Sequence, residues 1–243
     1  MSEGAPATAG TQIGSLVRLL GVGAVAVGLL FTVVFMFIPE LDLLVSSFYF
    51  RSDGTFAAAH RGSDAQHLRH ALIWFLYACT GLCLAGLLAT RISRRTWLSL
   101  RFSQWLFLAL SLGVGPGLVA NVVLKDHWGR ARPKQLVEFG GIRAFSGPLV
   151  PSDQCARNCS FVSGEASSLF MLFYAAALVV PQVSGVLIVA GTLGGLAAGA
   201  IRIAQGAHFL SDVVFAGVLM ALTAVILHEL LFGMLSARVL DGE

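Results

Sequence analysis

Three short clusters hold the residues that could do chemistry. They are Lys125-Asp126-His127-Trp128-Gly129-Arg130-Ala131-Arg132-Pro133, then Ser163-Gly164-Glu165, and then Arg202 followed by His208 and Asp212. Together they supply fixed cations, a helix N-terminus, and a nucleophile with an orienting carboxylate. Those are the requirements of phosphoryl transfer, in which catalysis is mostly positioning and charge stabilisation.

Lys125 and Arg132 are seven residues apart, about two helical turns, so on a helix they share a face. In a loop they converge freely, and the Arg fork matches phosphate oxygens. A cationic rim beside anionic headgroups would use the same residues. A Ser-Gly pair opening a helix at Ser163 and Gly164 exposes backbone N–H groups to an anion. An ordinary N-cap looks the same in sequence. His208 and Asp212 stand i,i+4, so on a helix the carboxylate can hold one imidazole nitrogen and leave the other free to attack phosphorus. A polar pair between helices is the structural alternative, and Arg202 would be a third cation.

The elements that must position these groups are apolar. Hydrophobic residues make up 56% of the chain and charged residues 12%, against about a quarter in soluble domains. A nucleic-acid binder would carry basic stripes without apolar runs, so that class is set aside. Six stretches reach the roughly 20 apolar residues that cross a bilayer, near 13–38, 71–90, 98–122, 161–180, 183–200 and 209–232. The expected fold is therefore all-α, a polytopic six-helix membrane bundle in one domain over 13–243, behind a disordered tail at 1–12. The first run is too long for a signal peptide, and no Lys or Arg precedes it.

Gly113, Gly115, Pro116 and Gly117 should loosen the third span, with neighbouring helices satisfying the freed backbone groups. Gly191, Gly195 and Gly199 form either a small-residue contact face or ordinary membrane glycines. Arg91, Arg94, Arg95 and Arg101 place the second loop in the cytoplasm, with both termini, and put all three clusters at the opposite face. The stretch Pro39 to Phe48 reads as a short interfacial helix or a loop tucked against the bundle. Cys155 and Cys159 could form a disulfide facing an oxidising compartment, while Cys79 and Cys83 read as buried hydrophobes. No further ligands stand at zinc spacing.

The pattern Lys125-x6-Arg132-Pro133, then Ser163-Gly164, then Arg202-x5-His208-x3-Asp212 resembles the type 2 phosphatidic acid phosphatase superfamily. The likeness covers residues 98 to about 225, and Pro39-Glu40-Leu41-Asp42 also looks like bacterial members. The resemblance implies a lipid phosphatase without metal or other cofactor, in a bacterial inner membrane, with its site on the outer face. Its substrate would be a membrane lipid phosphate, such as lipid A, undecaprenyl diphosphate, phosphatidylglycerol phosphate or phosphatidic acid. Lys125, Arg132, Ser163, Gly164 and Arg202 would bind phosphate. His208 would form a phosphohistidine, oriented by Asp212.

Two positions depart from the family pattern. The family's Pro-Ser-Gly-His reads Val162-Ser163-Gly164-Glu165 here, so the leaving-group acid would be Glu165 or His127, or a good leaving group would need little help. Its Ser-Arg reads Ile201-Arg202. Arg130 is a further accessory cation. The Gly-Glu form with the cysteine pair is similar to a subgroup that includes lipid A 1-phosphatases. A lipid-to-lipid phosphotransferase, and a non-catalytic anion binder or transporter, remain alternatives, and the oligomeric state is open. An inverted repeat, the mark of many transporters, is not evident.

Overall fold

The computed structural model describes residues 9–60 and 62–233. They fold as helices, with isolated bridges but no strand among the described residues. The long elements are α1 (Ala9–Phe37), α3 (Asp64–Ser93), α4 (Phe102–Leu112), α6 (Gly164–Val179), α7 (Ser184–Ala204) and α8 (Leu210–His228). A short α2 (Leu41–Ser47) follows α1, and α4 runs on through a π-helix, Gly113–Leu124, into the single turn α5 (Lys125–His127). Of the tail expected over 1–12, residues 1–8 lie outside the described residues, while Ala9 already belongs to α1.

Five of the six expected spans are long and apolar enough to cross a membrane. The fourth, α6, has 16 residues and rises about 24 Å, short of the ~30 Å hydrocarbon core. It is short because Phe161, Val162 and Ser163, expected inside the span, form a non-helical approach that carries part of the site. Most of α6 is buried against α4, α7 and α8, whereas α1 and α3 turn most of their surface outward. The main core forms around α6 from Phe107, Ala166, Phe170, Met171, Ala216 and Met220.

Glycine decides the α6–α7 contact. A Cβ at Gly191 would stand 2.5 Å from Phe173, one at Gly195 2.5 Å from Phe170, and one at Gly199 2.3 Å from Val213. The small-residue stripe is thus a true close-contact face, reaching α6 and α8.

The expected loosening of the third span takes the form of a π-helix around Pro116, which lacks an N–H. Within it, the Pro116 carbonyl accepts from Asn121 Nδ2 of the same helix at 2.7 Å. The alternatives for Pro39–Phe48 resolve as a helix tucked against α8: α2 buries Asp42 completely and leaves Leu44 and Phe48 outward.

Candidate active site

Backbone hydrogen bonds stitch the three clusters together at one end of the bundle. Cys159 N–H donates to the Lys125 carbonyl at 2.8 Å, and Ser160 N–H to that of Arg130 at 2.9 Å. Ser163 N–H donates to the Asp212 carbonyl at 3.1 Å, and Lys134 N–H to that of Gly206 at 3.0 Å. Gly129 permits the close approach of Ser152, whose N–H donates to the Trp128 carbonyl at 2.9 Å. The glycine φ is +72°, and a Cβ there would lie 1.5 Å from the Ser152 carbonyl oxygen. Trp128 stacks on Phe161 with ring centroids 5.0 Å apart, pinning the first cluster to the second. A disulfide joins Cys155 to Cys159 in the intervening loop.

His208 and Asp212 do not share a helix face as their spacing suggested. His208 precedes α8, Phe209 is the N-cap, and Asp212 is the third helical residue, where its carboxylate accepts from Phe209 N–H at 2.8 Å. The cap geometry folds the carboxylate back toward the imidazole. His208 Nδ1 lies 2.7 Å from the Ser160 carbonyl and 3.4 Å from Asp212 Oδ2. With Nδ1–H committed to these two acceptors, Nε2 is the nitrogen that keeps its lone pair. Burial pushes the His208 pKa down to about 4, against the pull of Asp212, so the ring is neutral near pH 7.

Around His208 stand Lys125, Arg132, Arg202 and Glu165, near enough to act on one another's charge. The Lys125 ammonium lies against the start of α6, where a Cβ on Gly164 would stand 3.4 Å from Nζ. Lys125 and Arg132 reach the site because the helix ends at His127 and the chain from Trp128 onward is a loop. Arg132 is steadied by donating to the Asn158 carbonyl at 2.8 Å and to its Oδ1 at 3.1 Å. Arg202 Nη1 donates to Gln205 Oε1 at 2.5 Å. Neither Lys125 nor Arg132 has an ion-pair partner among the described residues. Ser163 Oγ and Arg202 Nε are buried without a hydrogen-bond partner. Buried polar groups are nearly always paired, so a hydroxyl and a guanidinium N–H left open beside unpaired cations form a site shaped for an anion.

Three expected residues stand in settings that their expected roles did not foresee. Glu165 is held in an ion pair. Arg69 of α3 donates to both of its oxygens, from Nη2 and Nε to Oε1 at 2.7 and 2.9 Å and from Nε to Oε2 at 3.1 Å, and Arg202 Nε lies 3.8 Å away. Two-oxygen acceptance from a guanidinium is the pairing of a carboxylate, not of an acid with a proton to give. His127 is exposed and turned back onto its own helix, with Nδ1 2.9 Å from the Val122 carbonyl. Arg130 is fully buried and bonded to Asp42, Asp212 and Ser211, so it supports Asp212 rather than presenting a cation to a ligand.

Arg69, Asp42 and Ser160 belong to the site without having been read from the sequence. A cation in the first helical turns of a span, at the end where the clusters gather, could have flagged Arg69. Asp42 appears only as the end of the Pro39-Glu40-Leu41-Asp42 likeness, with no role attached, and Ser160 before the second cluster carries no comparable signal.

A cavity of about 550 Å3 opens between α3, the π-helix and α6. Arg69, Lys125, Gly164 and Glu165 line its polar end, and Ile73, Leu76, Leu84, Leu112 and Pro116 line its length.

A family model described as the PAP2 superfamily matches residues 104–234, more than half of the chain. The chain is 42% identical over 127 residues to a lipid A 4′-phosphatase of Francisella tularensis subsp. novicida, covering 52% of this chain and 57% of that protein. It is 47% identical over 106 residues to a lipid A 4′-phosphatase of Rhizobium leguminosarum, covering 43% and 45%. A third relative so named, from Rhizobium etli, is 42% identical over 103 residues. These relatives carry the 4′ name, where the sequence had suggested likeness to the 1-phosphatases. The match spans about half the length of these curated relatives. No solved structure matches. The chain belongs to the PAP2 superfamily.

Proposed function

We propose that this PAP2 superfamily member is an integral-membrane phosphatase that removes phosphate from a lipid headgroup, with the 4′-phosphate of lipid A as its leading substrate. The observation that carries the reading is the anion site beside a neutral histidine: Ser163 Oγ and Arg202 Nε buried without a hydrogen bond, with Lys125 and Arg132, which have no ion-pair partner among the described residues, close to His208. The groove adds the lipid. Its cationic end suits a phosphate and its apolar length suits acyl chains. The names of the relatives supply the headgroup.

In the proposed reaction, Lys125, Arg132, Arg202, Ser163 and the Gly164 N–H hold the phosphoryl oxygens. The His208 Nε2 lone pair attacks phosphorus, and the bond to the lipid oxygen breaks. Nδ1 keeps its proton, and the resulting cationic ring faces Asp212. The leaving oxygen takes a proton from a water, which becomes hydroxide. A second water then attacks phosphorus as its proton passes to that hydroxide, the N–P bond breaks, and inorganic phosphate leaves with His208 restored. The site would face outward from a bacterial inner membrane. The arginines Arg91, Arg94 and Arg95 at the far end of α3, about 33 Å from Arg69, support that orientation.

The test is phosphate release by the detergent-purified chain, with EDTA present, from lipid A, its two monophosphate forms, undecaprenyl diphosphate, phosphatidylglycerol phosphate and phosphatidic acid. Release from the 4′ position, abolished in His208→Ala, is expected. No release from any of them, with or without an acceptor lipid, would overturn the reading.

A further inference from the structure

Behind the candidate nucleophile lies a buried ionic cluster of which the reaction scheme uses only Asp212. Arg130 is fully buried between two carboxylates that are also fully buried. Its Nη1 stands 2.7 Å from Asp212 Oδ1, and its Nη2 stands 2.8 Å from Asp42 Oδ2. Nη1 also donates to Ser211 Oγ at 2.8 Å, and Nε donates to the Ser146 carbonyl at 2.9 Å. The guanidinium lies over the Phe209 ring at 4.1 Å, next in sequence to His208. Asp42 accepts from Ser211 N–H at 2.9 Å and from the Ser211 hydroxyl. Asp212 accepts on its other oxygen from Ser160 Oγ at 2.5 Å.

The charge count of this cluster bears on His208. Asp212 alone with Arg130 would be a neutral pair, with little net field to stabilise a cationic imidazole. With Asp42 ionised, favoured by its bonds from Arg130 and Ser211 against burial, which pushes its carboxyl pKa up, the set is one cation and two anions and keeps one net negative charge beside the ring. A buried arginine facing a single carboxylate would already satisfy charge pairing, so a second buried carboxylate is a cost that stability alone does not require.

We propose that Asp42, acting through Arg130, is a positioning residue for the phosphoryl-transfer step: it offsets the arginine's charge so that the Asp212 carboxylate remains available to the phosphorylated His208. This rests on the phosphatase reading. The bonds among Arg130, Asp42, Ser211 and Asp212 are all buried and join α2, the first cluster and the start of α8.

The experiment compares purified full-length wild type, Asp42→Asn, and the charge-balanced double variant Asp42→Asn/Arg130→Gln. It reads kcat, KM, inhibition by inorganic phosphate, and inhibition by vanadate, which can bond to the histidine as a phosphoryl mimic. Asp42→Asn should lower kcat on the order of 10- to 100-fold, by analogy with the groups that orient metal-ligating histidines from behind. Vanadate inhibition should weaken in parallel, while KM and phosphate inhibition stay near wild type.

The double variant removes one charge of each sign and should recover most of the lost kcat, a strongly non-additive result. Unchanged kcat in Asp42→Asn would overturn the proposal. So would a parallel loss of phosphate binding, or a folded double variant as impaired as the single. If Asp42→Asn does not fold, the double variant decides alone, because it leaves no unpaired arginine charge: activity within about tenfold of wild type supports the proposal, and inactivity in folded protein sinks it. A wild type that releases no phosphate would instead sink the phosphatase reading, so the two failures are distinguishable.

Discussion

Arg69 and Glu165 meet across the mouth of the groove, with three hydrogen bonds of 2.7 to 3.1 Å between helices 96 residues apart in sequence. The pair lines the polar end of the cavity, and Glu165 occupies guanidinium donors that an anion would also seek.

Glu165→Gln is therefore expected to keep kcat within about tenfold of wild type, because a carboxylate already clamped by Arg69 donates no proton. Arg69→Gln should raise KM by about tenfold with a smaller change in kcat, since the freed carboxylate then competes for Arg202. Steady-state kinetics on the preferred lipid checks both. A loss of about a thousandfold in kcat for Glu165→Gln would restore Glu165 as the acid.

The pH dependence rests on His208. Its folded pKa is depressed to about 4 from 6.5, so the unprotonated nucleophile persists well below neutrality. The acid limb of kcat/KM assigned to this ring should fall near pH 4, not near 6.5. Between those values the unfolded chain binds a proton that the folded protein does not, so this group makes stability decline as pH falls from 6.5 toward 4. Activity and thermal unfolding measured from about pH 4 to 8 test the two statements, and an acid limb centred near 6.5 would contradict the first.

Two glycines in the site region should fail in different ways. At Gly164 a Cβ would press on Asn121 Oδ1 at 2.8 Å and lie 3.4 Å from Lys125 Nζ. Both are side-chain atoms that can shift, so Gly164→Ala should fold yet bind inorganic phosphate more weakly. At Gly129 the collision is with backbone and the φ is positive, so Gly129→Ala should destabilise by about 3 kcal/mol or more. Thermal melts beside phosphate inhibition separate the two outcomes.

The α7 stripe predicts a loss without a catalytic signature. Gly195→Ala drives a Cβ into the Phe170 ring and should cost about 1–3 kcal/mol by overpacking. The folded fraction should keep its KM. A variant as stable as wild type would mean that α6 and α7 can separate at no cost.

The six apolar stretches were legible because hydrocarbon thickness sets a length that a composition scan reads directly. Their ends were not. Phe161, Val162 and Ser163 are as apolar or as helix-compatible as the residues of α6 itself, and what ties them elsewhere is tertiary: Ser163 N–H bonds the Asp212 carbonyl and Phe161 stacks on Trp128. The His208–Asp212 spacing announced a contact but not its geometry: the carboxylate caps α8 and reaches the imidazole from inside the helix, while His208 stays outside it.

By itself the sequence determined the bundle, the order of the three clusters, and the residue types gathered at one end, because these depend on local composition and spacing. Only the tertiary structure decided which charges face one another. Glu165 is neutralised by Arg69 from α3, and Arg130 is claimed by Asp42 from α2, although both partners lie far away in the chain. A charge's role depends on its nearest opposite charge and on its burial. Both are set by helix packing across the bundle and are invisible in the spacing of residues along the chain.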